Sequence, residues 1–296
     1  MRVGFIGLGH MGAPMATNIL KGGYNLTVYD VNEEACRDLL SAGATVASSP
    51  ASLAKHVDVI ITMLPGPVQV REVVAGSSGV LEGIRSGSTW IDMSTSSPGL
   101  GRELSGHVAK KGALQLDAPV SGMAKGAIAG TLQIFVGGDE STFLAVRPIL
   151  ESMGDAERIF HMGPLGTGHT LKLLLNMLWF DHLVAAAEAF VMGQLAGIDI
   201  SKLQAALVAS PANSSFIEHD INSVFRGDYD DSFALRLVCK DLGLAVDMGR
   251  DLGVPVEMAA LVEQFHRRAL ATFGNDGGEM LGVKLLEDLA GVSLRL

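Results

Sequence analysis

The segment Gly7-Leu8-Gly9-His10-Met11-Gly12 constrains this chain more than any other. It follows the apolar run Val3-Gly4-Phe5-Ile6 and leads into Ala13-Pro14-Met15-Ala16, so the three glycines stand at a strand-to-helix junction. There the first glycine allows a tight turn, the second lets the backbone approach a pyrophosphate, and the third lets helix and strand pack closely. The free N–H groups and positive dipole end of the helix then face the phosphates. Asp30 ends the next β-rich run, 18 residues beyond Gly12. An acid at that place accepts hydrogen bonds from the ribose hydroxyls and repels a 2′-phosphate. Val31-Asn32 adds no arginine to bind such a phosphate. The residues predict an NAD site at Gly7, Leu8, Gly9, His10, Met11, Gly12, Asp30 and Val31, with NAD preferred over NADP.

Around this junction the first half of the chain alternates β-rich runs with helical patterns. Candidate strands are Val3–Ile6, Leu26–Tyr29, Val57–Thr62, Thr89–Asp92, Gln115–Asp117 and Leu132–Val136. Candidate helices among them are Met15–Lys21, Glu33–Ser41 and Gly101–Lys110. Such alternation builds a mostly parallel sheet covered on both faces. After Gly163-Pro164-Leu165-Gly166-Thr167-Gly168 the pattern turns wholly helical. A long run from Thr170 to about Ala196, apolar nearly all round, precedes helical runs at Ser201–Ala209, Ser214–Phe225, Phe233–Leu252, Val256–Phe273 and Leu281–Leu289. A helix apolar on every face has to be surrounded. The expected fold is α/β, a Rossmann-type N-terminal domain over 1–165 and an all-helical domain over 166–296 that begins with the long connecting helix.

With 32 acidic against 22 basic residues the net charge is −10, which argues against nucleic acid as a partner. Cys36 and Cys239 make no disulfide framework, and the eight histidines fall at no metal-ligand spacing, so no metal site is expected. The apolar stretch Leu171–Ala196 is interrupted by Lys172, Asn176, Asp181, His182 and Glu188, which argues against a membrane span. The N-terminus runs straight into the first strand and leaves no room for a leader, so the chain reads as soluble and cytoplasmic.

Four segments resemble the β-hydroxyacid dehydrogenase family: Gly7–Gly23, Asp117–Gly138, Gly166–Asn176 and Lys240–Ala245. They occur in the family's order across at least residues 1–250. The resemblance implies a catalytic lysine at Lys172 and substrate-binding residues at Ser121, Gly122, Thr95 and Asn176. It adds Leu64, Pro65, Gln69, Thr95 and Lys240 to the cofactor site. The residues argue the same way in part. Lys172 lies in Leu171-Lys172-Leu173-Leu174-Leu175, where burial would lower its pKa into a range useful for proton transfer. Asn176 is four residues on and shares its helix face. The Ser121 hydroxyl and glycine N–H groups are suitable donors to a carboxylate. Two departures stand out: Met123 where the family usually has a second glycine after Ser-Gly, and Leu175 where it usually has a first asparagine. His10, His169 and His182 are read as structural, and Phe216, Phe233 and Met123 as candidate walls of the substrate pocket.

Together these features predict an NAD-dependent oxidoreductase that interconverts a small 3-hydroxy acid and its semialdehyde or keto acid, with Lys172 as general acid and base. The expected partners are a small carboxylate-bearing substrate and further copies of the chain, in a homodimer or homotetramer. Two other readings fit the same fold. One is an imine reductase-like enzyme, whose relatives lack the lysine and read a 2′-phosphate; the other is a non-catalytic NAD-binding interaction module.

Overall fold

A computed structural model describes residues 1–229, 233–275 and 277–296. They form two compact units, Met1–Lys172 and Leu173–Leu296. The break falls inside one continuous helix, just beyond the 165/166 boundary expected from the sequence.

The first unit is a nine-stranded sheet. Its strands are β1 (Arg2–Ile6), β2 (Asn25–Tyr29), β3 (Thr45–Val46), β4 (Val59–Thr62), β5 (Thr89–Asp92), β6 (Leu114–Asp117), β7 (Val120–Ser121), β8 (Leu132–Gly138) and β9 (Gly154–Gly163). The order is β3-β2-β1-β4-β5-β6-β8-β7, with β9 beside β8. Strands β1 to β6 run parallel, and β8 is antiparallel to β6 and β7. All six strands expected from the sequence are present. The two-residue strands β3 and β7 are too short to carry a period. Strand β9 was hidden by the charged stretch Asp155-Ala156-Glu157-Arg158, exposed from Ala156 to Arg158.

Alternation along the strands feeds two cores. Val3, Phe5, Val59, Ile61 and Ile91 pack on one face with Met15, Ala16 and Ile19 of helix α1 (Gly12–Lys21). Ile6, Ile60 and Trp90 pack on the other with Leu100, Leu104 and Val108 of helix α2 (Pro98–Lys110). Burial on both faces is why these strands read as continuous apolar runs.

Helix α3 (Thr167–Leu195) crosses from the first unit into the second. The second unit adds Ile200–Val208, a π-helical turn at Phe216–Asp220 continued by Ile221–Phe225, helix α4 (Leu235–Asp251), helix α5 (Glu257–Phe273) and Leu281–Ala290. Beyond Gly163 no strand occurs among the described residues, only one isolated bridge between Ala234 and Gly278. Phe180, Leu183, Ala187 and Phe190 of α3 pack with Phe216, Val224, Phe225, Leu235 and Leu242. Full enclosure of α3 is not what the chain achieves. Leu178, Met192 and Leu195 stay 49%, 70% and 61% exposed, because one chain supplies neighbours to only part of its surface. By length and composition α3 could cross a membrane, and 39% of its most apolar window is buried within the chain.

His266 of α5 is fully buried against Phe180 and Phe265, and its Nδ1 donates to the Val262 carbonyl at 2.9 Å. Burial lowers its pKa from 6.5 to about 4. The neutral ring therefore stabilises the fold above pH 6.5, and that contribution is lost as pH falls toward 4. The span corresponds to roughly 3 kcal/mol. Urea unfolding at pH 7 and pH 4.5 should show this loss in the wild type and less of it in His266→Phe. Equal acid sensitivity of the two proteins would contradict it.

Candidate active site

Parallel pairing lines up the ends of the strands. Ile6 is opposite Tyr29 and Thr62, Thr62 opposite Asp92, and Asp92 opposite Asp117. The loops that begin at Gly7, Asp30, Met63, Met93 and Ala118 thus leave the sheet along one carboxyl edge. The strand order reverses between β1 and β4, and ligands of open α/β sheets bind at such a point. Sequence-predicted residues from Gly7 to Gly12, with Asp30, Val31, Leu64, Pro65 and Thr95, all lie on these loops or at their ends. Gln69 follows on the helix Pro67–Ala75, on its exposed side.

The three glycines differ physically. Gly7 has φ +95°, a left-handed conformation, and a Cβ there would lie 2.3 Å from the Met63 carbonyl oxygen. A Cβ on Gly12 would lie 1.9 Å from the Gly7 carbonyl oxygen, which sets how closely α1 approaches the turn. A Cβ on Gly9 would meet nothing within 4 Å. Only the middle glycine therefore borders open space, as a residue passed closely by a ligand must. No side chain caps the first turn of α1, where Ala13 N donates to the Gly9 carbonyl at 3.1 Å and Pro14 carries no N–H, so the Gly12 amide is the one an anion would meet. The Asp30 carboxylate accepts from Leu8 N at 2.6 Å and Asn32 N at 2.8 Å, which holds it beside the turn. Val31 is 86% exposed. These residues fit an NAD pyrophosphate and ribose.

Further along the edge lies a polar cluster buried beneath the loops. Asp92 Oδ1 accepts from Thr62 Oγ1 at 2.9 Å and Ser94 N at 3.2 Å, and Trp90 Nε1 donates to Thr62 Oγ1. Asp92 Oδ2 stands 3.5 Å from His169 Nε2. Burial raises the Asp92 pKa, opposed by the charge interaction with His169 and by hydrogen bonds from Ser94 and Thr62. Asp117 accepts from Gly166 N at 2.6 Å and His169 N at 2.7 Å. A carboxylate at the end of β6 thus satisfies amides that the start of α3 cannot bond internally. Gly168 makes the approach possible, since a Cβ there would lie 2.2 Å from the Phe135 carbonyl oxygen.

Lys172 follows His169 by one helical turn. It is half-buried, not enclosed as its apolar neighbours suggested.

Ser121 ends β7, paired with Gln133 of β8. Gly122 has φ +132° and Met123 φ +56°. Two successive left-handed residues form the turn, and methionine takes the second at a steric cost that a glycine there would avoid. Met123 opens the short helix Met123–Ala129 and is 45% exposed.

In the second unit, Asn176 Nδ2 donates to Asp241 Oδ2 at 2.7 Å. The Lys240 ammonium pairs with Asp241 Oδ1, also at 2.7 Å. Asp241 itself is 1% exposed. Phe216, expected as a pocket wall, is wholly buried and packs edge-on against Trp179, because its turn inserts into the core of this unit. Phe233 stacks on Phe180.

Asp92, Asp117 and Asp241 were not picked out from the sequence. Each was visible only as an acid at a strand end or in a helix. The available signal was an acid set in apolar sequence, as in Trp90-Ile91-Asp92-Met93 and Leu116-Asp117-Ala118-Pro119-Val120. Such an acid has to be paired once it is buried.

Residues 2–163 match the family of the NAD binding domain of 6-phosphogluconate dehydrogenase. Residues 166–286 match the NAD-binding family of NADP-dependent 3-hydroxyisobutyrate dehydrogenase. The chain is 40% identical over 272 residues to the mitochondrial 3-hydroxyisobutyrate dehydrogenase of Mus musculus, covering 90% of this chain and 81% of that protein. It is 35% identical to the 2-(hydroxymethyl)glutarate dehydrogenase of Eubacterium barkeri, covering 99% and 97%. A solved 3-hydroxyisobutyrate dehydrogenase of Mycobacterium tuberculosis with L-serine superposes with a TM-score of 0.88 at 33% identity, covering 97% and 99%.

Proposed function

Because the chain belongs to the β-hydroxyacid dehydrogenase family of NAD-binding oxidoreductases acting on CH–OH groups, we propose that it oxidises a 3-hydroxy acid of the form HO–CH2–CH(X)–COO⁻ to the semialdehyde, or reduces the semialdehyde back. The support for this form is that 3-hydroxyisobutyrate, 2-(hydroxymethyl)glutarate and serine, named with the relatives above, all contain it. The observation that carries the reading is the bond of Asp117 to the first turn of α3. It brings the start of the lysine-bearing helix to the sheet edge that holds the glycine turn.

In this reading Ser121, Gly122 and Thr95 hold the substrate carboxylate. The Lys172 amine lies beside the reacting oxygen, accepts the hydroxyl proton during oxidation and returns it during reduction. Asn176 acts from the same face of α3 as Lys172. The glycine turn, Asp30, Val31, Leu64, Pro65, Gln69 and Lys240 hold NAD, whose nicotinamide supplies the hydride chemistry when bound. Lys172 and Asp30 favour this reading over imine reduction with a 2′-phosphorylated cofactor.

The test is initial-rate turnover, read by nicotinamide absorbance, on 3-hydroxyisobutyrate, 2-(hydroxymethyl)glutarate and serine with NAD and NADP in parallel, for wild type and Asp30→Ala. Wild type should prefer NAD. Asp30→Ala should lose about 10- to 100-fold in kcat/KM for NAD, the worth of a hydrogen bond to a charged group, and change little with NADP. Turnover of none of the three acids, or a wild type that prefers NADP, would overturn the assignment.

A further inference from the structure

The orientation of one amide defines what Asn176 can offer a ligand. A carboxylate is only an acceptor, and the fully buried Asp241 has both oxygens engaged: Oδ2 by Asn176 Nδ2 and Oδ1 by the Lys240 ammonium, each at 2.7 Å. Lysine is only a donor, so it holds one oxygen of Asp241 and leaves the other for Asn176. Asn176 can meet that oxygen with its NH2 alone. Its carbonyl oxygen is the end left for a ligand. A carbonyl oxygen repels a carboxylate and accepts from a hydroxyl or an ammonium.

We propose that Asp241 is a positioning residue that locks the Asn176 amide with its carbonyl oxygen toward the face it shares with Lys172. Asn176 then accepts from the substrate hydroxyl or the Lys172 ammonium and does not bind the substrate carboxylate. This rests on the dehydrogenase reading and deepens it, since it assigns the carboxylate to the Ser121 side alone.

Exchanging the two side chains tests it. In Asp241→Asn, Lys240 keeps the single oxygen of residue 241, and the new NH2 turns toward residue 176. Asn176 must then flip to accept with its carbonyl, which turns its NH2 to the ligand. In Asn176→Asp, two carboxylates face each other at a buried contact. In the double variant Asn176→Asp/Asp241→Asn the hydrogen bond re-forms with its direction reversed, and position 176 again presents an oxygen.

Asp241→Asn should lower kcat by roughly a hundredfold, the scale of a misplaced group, with the KM for the hydroxy acid little changed. The double variant should recover at least about tenfold over either single variant and regain the melting temperature lost by the singles. Recovered melting temperature without recovered kcat would show the pair to be structural only and overturn the proposal. Recovery of neither would show that the paired geometry is absent and overturn it too. So would a rise in KM at constant kcat in Asp241→Asn, the signature of a lost carboxylate contact. Absence of turnover in the wild type would instead remove the dehydrogenase reading, while the melting-temperature cycle would still report whether the paired side chains bond as described.

Discussion

Lys172→Ala should lower kcat for hydroxy-acid oxidation about a thousandfold while NADH binds with an affinity close to that of the wild type. The size follows from the role: a lost general acid–base group costs about 10²- to 10⁴-fold. The selectivity follows from the residue's position. Lys172 lies on the second turn of α3, whereas the proposed cofactor contacts belong to other residues, the glycine turn and Asp30. Lys172→Arg should fare little better, because a guanidinium keeps its proton at any working pH and cannot accept one from the substrate. The side chain is half-buried, so the substitution removes no apolar residue from the cores. Stopped-flow quenching of protein fluorescence by NADH, beside steady-state turnover, separates the two effects. Equal loss of NADH affinity and kcat would assign the lysine to cofactor binding.

The second large effect is expected at the glycine turn, where two substitutions of the same size should behave differently. In Gly12→Ala the new methyl lies 1.9 Å from the Gly7 carbonyl oxygen, a backbone atom that no rotamer change can move. Helix α1 must shift away from the turn. The protein should lose about 1–3 kcal/mol of stability, the usual cost of overpacking, together with about a hundredfold in NADH affinity as the amides move off the phosphates. In Gly9→Ala the methyl enters open space, so the melting temperature should not change. Its NADH affinity should nevertheless fall, because the space it fills is the one proposed for the cofactor pyrophosphate. Thermal unfolding and NADH titration of both variants check this. Unchanged NADH affinity in Gly9→Ala would remove the pyrophosphate from this turn.

The contrast between these glycines shows how far the sequence could be read. A strand, three spaced glycines and an acid at the end of the second strand are local features, and local spacing sufficed to place the Rossmann-type fold and its first strand-to-helix turn. The all-helical second half was legible for the same reason, since the apolar period of α4 and α5 survives in the sequence. What local spacing could not carry was pairing across the chain. Asp117 and His169 are 52 positions apart and Asn176 and Asp241 are 65, so the contacts that hold the start of α3 and the Asn176 amide have no local signature. Nor could it show that Phe216 turns into a core, because an aromatic in a helical run reads alike at a pocket wall and in an interior. The left-handed backbone at Met123 was equally invisible. Methionine is not a residue that announces positive φ, and only the departure from the family's glycine pointed to that turn.

In the proposed reaction a hydride leaves the carbinol carbon of a 3-hydroxy acid for the nicotinamide while the hydroxyl proton leaves by Lys172. The most direct measurement uses 3-hydroxyisobutyrate carrying deuterium on its CH2OH carbon, incubated with NAD and the wild-type protein, with the NADH formed weighed by mass spectrometry. The NADH should carry the deuterium, and Lys172→Ala should form almost none of it. NADH without the label, or labelled NADH formed equally fast by Lys172→Ala, would contradict it.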